Sequence, residues 1–174
     1  MKNIILQHYT GSLGELEKLS KAAISKYAKK VGAEYRLIQG NVFRPNLQPP
    51  IQKLIMLDER FDDYDTVVMI DIDMFPRKGM DENVFEVEGI GMFTDFQASL
   101  KRNMIRRYPD LCDDRYAYWG GAIYKLTREQ RQELRKGISD FEMEPFNHSY
   151  QDEGIMHRLD CLAKIKQKGS PLPG

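Results

Sequence analysis

Residues 66–79 read TVVMIDIDMFPRKG, and this stretch decides the fold. Its apolar run from Val67 to Ile70 is typical of a strand that is buried on both faces of a parallel sheet. The run ends in Asp71, one spacer residue and Asp73, after which a Met-Phe-Pro sequence ends the strand. Two carboxylates in this position are costly unless a metal ion, a basic side chain or solvent compensates their charge.

The segments before this strand alternate between strand-like and helix-like patterns. Apolar residues recur at helical spacing in the first helix-like segment, and Pro50 lies at or near the first turn of the second. The predicted elements are strand Asn3–His8, helix Glu15–Lys30, strand Glu34–Gln39 and helix Ile51–Phe61. A β-α-β-α-β order predicts an α/β domain with a mixed, mainly parallel sheet that is flanked by helices.

The segments downstream complete the domain. The basic segment Ser99–Arg107 is either a solvated helix or loop, or a flap that meets an anionic ligand. A helix begins at Thr127, where Gln130 three residues later completes a capping box. The other predicted elements are strands in Gly89–Phe93 and Tyr118–Leu126 and a last helix over Asp152–Ile165.

Length and composition indicate one globular domain. We expect it to span residues 1–166, with a frayed tail over 167–174. Lys plus Arg and Asp plus Glu both number 26, so no overall charge points to nucleic acid or to an anionic membrane. No segment has the ~18 apolar residues that a membrane span needs. With two cysteines and no signal-like start, the expected location is cytoplasmic.

The two aspartates are candidate metal ligands. Asp71 and Asp73 lie on the same side of the strand if strand geometry continues that far. Ligands of open parallel sheets bind beyond the carboxyl ends of the strands. Carboxylates there suit Mn²⁺ or Mg²⁺, which keep positions open for phosphate oxygens. The alternative is that Asp73 caps a turn and Asp71 pairs with a basic side chain.

Residues 64–86, YDTVVMIDIDMFPRKGMDENVFE, resemble the metal-binding segment of GT-A glycosyltransferases. The resemblance is to the retaining branch that includes glycogenin and the bacterial lipopolysaccharide galactosyltransferases. Three further segments resemble this branch in the same order, so that the likeness covers nearly the whole chain: YAKKVGAEYRLI at 27–38, YWGGAIYKLTREQRQEL at 118–134 and QDEGIMHRL at 151–159. Lys53, in IQKLIML at 51–57, lies where many members of this branch carry a lysine before the metal-binding strand.

The resemblance implies a single GT-A (Rossmann-like) domain that transfers a sugar from a nucleoside diphosphate. It implies a UDP-sugar donor, a glycan or other hydroxyl acceptor, Mn²⁺ or Mg²⁺ as cofactor, and retention in preference to inversion. The chain would act on a soluble glycan or be one domain of a longer protein. Trp119, Glu153 and His157 depart from the family pattern, and no histidine after Lys164 matches the family's C-terminal metal ligand.

The resemblance also gives roles to the carboxylates. Asp73 would bind the metal directly, and Asp71 would bind the metal or the ribose. Asp152 would orient the sugar, while Glu153 would stabilise the oxocarbenium-like state or act as nucleophile. In an inverting enzyme, Asp152 or Glu153 would be the general base for the acceptor hydroxyl. The alternative is that Asp152 and Glu153 are only favourable charges at a helix N-terminus.

Other donor contacts rest on weaker signals. Tyr9 and Thr10 would contact the base, unless Tyr9 is an ordinary aromatic residue at a strand end. Lys53 would contact the donor, unless it is only solvated. Asp95 would bind donor hydroxyls. Gly120 and Gly121 would let the substrate approach the backbone closely, unless they only form a plain turn or bulge.

Two other classes of function remain open. One is a non-catalytic module that binds a nucleotide sugar. The other is a phosphatase of the haloacid dehalogenase type, in which an Asp-x-Asp motif also follows an apolar strand. In that class the motif usually lies near the N-terminus, whereas here it follows the third predicted strand.

Overall fold

A computed structural model describes residues 1–43, 48–88, 91–93, 102, 105–106, 109, 119–139 and 151–163 of the chain. Within these residues, the strands are β1 (Asn3–Tyr9), β2 (Glu34–Gln39), β3 (Thr66–Ile70), β4 (Gly91–Phe93) and β5 (Trp119–Thr127). The α-helices are α1 (Glu15–Lys30), α2 (Arg128–Ser139) and α3 (Gln151–Ala163), and two 3₁₀ segments cover Pro49–Leu57 and Glu59–Phe61.

The strands form one sheet in the order β2-β1-β3-β5-β4. β1 pairs in parallel with both β2 and β3, whereas β5 pairs antiparallel with β3 and with β4. Because only β5 is reversed, the other four strands of this sheet run in the same direction. The predicted mixed, mostly parallel α/β sheet flanked by helices is therefore confirmed.

Local signals give correct bounds for several elements. Helix α1 and strand β2 begin and end at the predicted residues. Gly32 follows α1 with a φ of 70°, a left-handed conformation that favours glycine at a helix end. The backbone N–H of Thr127 donates to Gln130 Oε1 at 2.8 Å, and the Gln130 N–H donates to Thr127 Oγ1 at 3.3 Å. This is the predicted capping box at the start of α2.

The predicted helix over Ile51–Phe61 is wrong in type. The segment forms two 3₁₀ pieces, and Asp58 between them has an extended backbone with ψ 146°. The Asp58 carboxylate accepts the Arg60 N–H at 3.0 Å and so starts the second piece. Most side chains of Pro49–Leu57 are buried, so the apolar pattern could not distinguish 3.0 from 3.6 residues per turn.

Both faces of the sheet are covered. Ile4 and Val67 pack with the 3₁₀ segments, α2 and α3 in one apolar cluster. Ile5 and Val68, which point to the opposite face, pack with α1 in a second cluster. Because β1 and β3 are parallel and adjacent, their carboxyl ends meet at the same edge of the sheet.

Several predictions fall partly or wholly outside the described residues. Asp95 and the tail over 167–174 are outside, as is most of Ser99–Arg107. In the part of the chain that the structure describes, we find no helix with the length and apolar character needed to cross a membrane.

Candidate active site

A cavity of about 620 Å³ opens at the carboxyl edge of β1 and β3. Six separate segments of the chain contribute to its lining. It brings together nine predicted site residues: Tyr9, Thr10, Lys53, Asp71, Asp73, Gly120, Gly121, Asp152 and Glu153. Ligand sites in open α/β sheets occur at this edge, so the topology agrees with the motif prediction.

Lys53 links the turn after β3 to helix α3, because it pairs with a carboxylate from each. Its Nζ lies 2.8 Å from Asp71 Oδ1 and 2.7 Å from Asp152 Oδ2, and it donates to the Gly121 carbonyl at 3.0 Å. The Lys53 side chain is only 12% exposed, so it is not a solvated surface lysine. The alternative interpretation of Asp71, a pairing with a basic side chain, therefore holds in this structure.

The two motif aspartates lie on a turn and not on the strand. β3 ends at Ile70, and the Asp71 N–H makes one more sheet-like bond, to the Ala122 carbonyl at 2.9 Å. The Met74 N–H then donates to the Asp71 carbonyl at 3.2 Å, which closes a four-residue turn. Strand alternation therefore does not continue to Asp73, yet both carboxylates line the cavity because the turn faces it.

Asp152 and Glu153 are buried in the first turn of α3 and each is held by β5. The Tyr124 hydroxyl donates to Asp152 Oδ2 at 2.9 Å, and the Gly121 N–H donates to Glu153 Oε1 at 2.7 Å. A Cβ added to Gly121 would lie 2.6 Å from Glu153 Cγ, so only glycine fits there. These hydrogen bonds fix the orientation of each carboxylate. Two favourable charges at a helix N-terminus would not need such bonds.

The cavity carries excess negative charge. Burial of the Lys53 ammonium opposes its charge, but Asp152 and Asp71 outweigh burial, so the pKa of Lys53 is raised and the ammonium stays protonated. Burial also raises the pKa of Asp71, and the nearby charges of Asp152 and Asp73 add to this effect against the opposing Lys53. One ammonium shared by two carboxylates does not fully compensate either.

The donor set fits a cation that arrives with a ligand. No group of three or more His, Cys, Asp or Glu side chains positioned to hold a metal occurs among the described residues. Asp73 is exposed at the cavity and Asp71 is partly exposed, which leaves two carboxylates to face a cation. Mg²⁺ is usually held by one or two carboxylates together with phosphate oxygens of the substrate, and this set is of that kind.

Two residues that the sequence analysis did not single out, Tyr124 and Glu17, bear on the charge of the site. Tyr124 is fully buried, and its hydroxyl holds Asp152, so burial and the neighbouring carboxylates keep the pKa of Tyr124 well above its usual range. It lies two positions after Ala122, which lines the cavity, and strand alternation could have identified it. Glu17 of α1 also lines the cavity, and no motif signals it.

Comparisons with known proteins bear on the fold. No protein-family model matches the chain, and no curated protein matches it in sequence. Among solved structures, the chain is similar to a glycosyltransferase involved in the glycosylation of the major capsid of PBCV-1. The TM-score is 0.52 at 10% sequence identity, over 89% of this chain and 74% of that protein's chain. At this identity the likeness shows only that the two share a fold, which agrees with the predicted α/β domain with a mostly parallel sheet flanked by helices.

Proposed function

We propose that this protein is a glycosyltransferase that moves a sugar from a nucleoside-diphosphate donor, a UDP-sugar, to the hydroxyl group of a glycan or other acceptor. One observation carries the proposal: Asp71 and Asp73 share a cavity with the Asp152–Glu153 pair, at the carboxyl edge of the sheet. The fold shared with a solved glycosyltransferase supports it. Membership of the glycogenin and lipopolysaccharide galactosyltransferase branch stays a prediction from the sequence.

The charge of the cavity supports a metal-dependent donor. Five carboxylates among the described residues line it, those of Glu17, Asp71, Asp73, Asp152 and Glu153. The ammonium of Lys53 is already bonded to two of them. A diphosphate would be repelled by this arrangement unless a cation came with it. Mn²⁺ or Mg²⁺ held by Asp71 and Asp73 would neutralise the leaving diphosphate as a Lewis acid.

Asp152 and Glu153 are the residues that we assign to the sugar. Both are buried and oriented by Tyr124 and Gly121, so their carboxylates are held in place before a ligand binds. A fixed carboxylate near the reacting carbon stabilises developing positive charge without reorganisation. The resemblance of the Asp152 segment favours retention, and in that mechanism Asp152 would orient the sugar and Glu153 would face the oxocarbenium-like centre.

Tyr9, the last residue of β1, and Thr10, which follows it, are assigned to the nucleoside. Both line the cavity at the end of the strand next to β3. A Cβ added to Gly11 would lie 3.3 Å from the Tyr9 ring, so the loop after β1 passes close to this ring. An aromatic ring in this place offers a stacking surface for a base.

The test measures nucleotide release from a panel of UDP- and GDP-sugars in Mn²⁺, with and without added acceptors. We expect turnover of a UDP-sugar that Asp73→Ala lowers by about 100-fold or more, because a bound cation supplies several kcal/mol of charge stabilisation. Asp81→Ala is the matched control, since Asp81 is an exposed carboxylate of the same loop region that pairs with Lys30. We expect this variant to keep wild-type turnover.

Other outcomes distinguish the remaining classes of function. Mn²⁺-dependent binding of UDP without turnover of any sugar nucleotide would support a non-catalytic binding module. Phosphate release from simple monoesters would support a phosphatase. Turnover that is equal in wild-type, Asp73→Ala and Asp81→Ala proteins would contradict the role given to the motif.

A further inference from the structure

The turn Asp71–Met74 carries both motif carboxylates. Its backbone is bonded to the sheet through the Asp71 N–H, which donates to the Ala122 carbonyl of β5. The Asp71 N–H is the last group bonded to β5, and the Met74 N–H bond to the Asp71 carbonyl is the turn's own bond. A single bond of this kind leaves a turn free to change its conformation. The position of Asp73 at the cavity must therefore depend on contacts from other elements.

Such contacts come from a buried chain of hydrogen bonds on the other side of the turn. Gln7 Nε2 donates to the Asp71 carbonyl at 3.1 Å and to Ser20 Oγ at 3.0 Å. Ser20 Oγ donates to the Met74 carbonyl at 2.6 Å, and the Tyr35 hydroxyl donates to Gln7 Oε1 at 2.9 Å. The Gln7 and Ser20 side chains belong to fully buried residues. Residues of β1, α1 and β2 thus hold the first and last carbonyls of the turn.

The chain of bonds has only one self-consistent direction. Carbonyl oxygens only accept, so Gln7 must present its NH₂ group to Asp71 and Ser20 must donate its proton to Met74. Ser20 then accepts from Gln7, and the Gln7 carbonyl is left to accept from Tyr35. Burial raises the pKa of Tyr35 to about 12, so this hydroxyl keeps its proton at neutral pH. A fully satisfied buried network of this kind favours one geometry.

We propose that Gln7 and Ser20 are positioning residues that hold the Asp71–Met74 turn in the geometry that a divalent cation and a diphosphate need. They act through Asp71 and Met74 and are not among the residues that line the cavity. The inference rests on the proposed function, because it assigns the turn's geometry to the binding of a metal–nucleotide complex. The hydrogen bonds from Gln7 and Ser20 to the turn do not depend on which ligand the cavity binds.

The test compares Gln7→Met and Ser20→Ala with Tyr27→Phe. The Tyr27 hydroxyl also links α1 to loop backbone, since it donates to the Glu82 carbonyl at 2.9 Å and accepts the Val84 N–H at 2.9 Å. Tyr27→Phe therefore removes similar buried bonds without touching the Asp71–Met74 turn. Three quantities are measured for each protein: thermal stability, the exchange rate of the Met74 amide without ligand, and the Mn²⁺ affinity in the presence of UDP.

We expect Met74 amide exchange to quicken at least about tenfold in Gln7→Met and in Ser20→Ala, and to stay at the wild-type rate in Tyr27→Phe. We expect the Mn²⁺ affinity to fall about tenfold or more in the same two variants. We expect their thermal stability to fall no further than that of Tyr27→Phe. If Gln7→Met does not fold, Ser20→Ala, which removes one hydroxyl, serves alone.

Three results would overturn the inference. The first is wild-type Met74 exchange in both variants. The second is faster exchange with wild-type Mn²⁺ affinity. The third is a loss of affinity that follows thermal stability equally in all three variants, because this would indicate a general structural role. Failure of the proposed function looks different: the wild-type protein itself would bind no Mn²⁺ with UDP, while Met74 exchange still reported whether Gln7 and Ser20 hold the turn.

Discussion

Replacement of Lys53 by methionine tests the electrostatics of the site most directly. Methionine keeps much of the apolar stem and removes the ammonium that bonds Asp71, Asp152 and the Gly121 carbonyl. The Asp152 side chain is only 5% exposed, so the variant leaves a buried carboxylate without its counter-charge. The Asp71 side chain is 32% exposed, and solvent can compensate much of its charge.

The expected loss follows mainly from Asp152. Removing one partner of a buried ion pair costs about 3–5 kcal/mol, and the partial exposure of Asp71 places the expectation near 3 kcal/mol. Urea unfolding is a suitable assay, because a slope of about 2 kcal/mol per molar converts this loss to a midpoint lower by roughly 1.5 M. The control is Lys30→Met, since the Lys30–Asp81 pair is 50% and 90% exposed and should contribute less than about 1 kcal/mol.

A double variant separates the charge of Asp152 from the loss of packing. Asp152→Asn in the Lys53→Met background removes the uncompensated charge, and the Tyr124 hydroxyl can still donate to the amide oxygen. We expect the double variant to regain at least about 1 kcal/mol relative to Lys53→Met. The reasoning is refuted if Lys53→Met is as stable as Lys30→Met, or if Asp152→Asn destabilises the Lys53→Met protein further.

Three further predictions concern pH, packing and helix capping. The raised pKa of Lys53 means that the folded protein holds this proton more tightly than the unfolded chain. Its stabilisation is complete below about pH 10.5 and is lost as the pH rises through the folded pKa, so on the alkaline side the wild-type advantage over Lys53→Met in urea should shrink as the pH rises through that range. Gly121→Ala should lower the free energy of unfolding by about 1–3 kcal/mol, because its Cβ would lie 2.6 Å from Glu153 Cγ; wild-type stability would contradict this contact. Thr127→Ala should cost about 1 kcal/mol, or a melting temperature lower by about 2–4 °C, and an unchanged melting curve would show that the box with Gln130 does not stabilise α2.

Much of the fold and the position of the motif carboxylates could be predicted, because the sequence signals for them are local. Helical spacing and Gly32 determine the bounds of α1, and Thr127 with Gln130 marks the start of α2. The apolar run that ends in Asp71 places the carboxylates at the edge of the sheet. Each of these features depends on neighbouring residues, so that periodicity, capping and turn chemistry specify it before any tertiary contact forms.

Only the tertiary structure decided how the carboxylates are held. The 3₁₀ geometry of Pro49–Leu57 places Lys53 between Asp71 and Asp152, and burial on nearly all sides of that segment removed the periodic signal that would have revealed it. The turn after Ile70 likewise depends on Gln7 and other buried side chains from separate elements. Hydrogen bonds between residues far apart in sequence leave no local pattern, so the sequence by itself determined where the charges lie and packing determined which partners hold them.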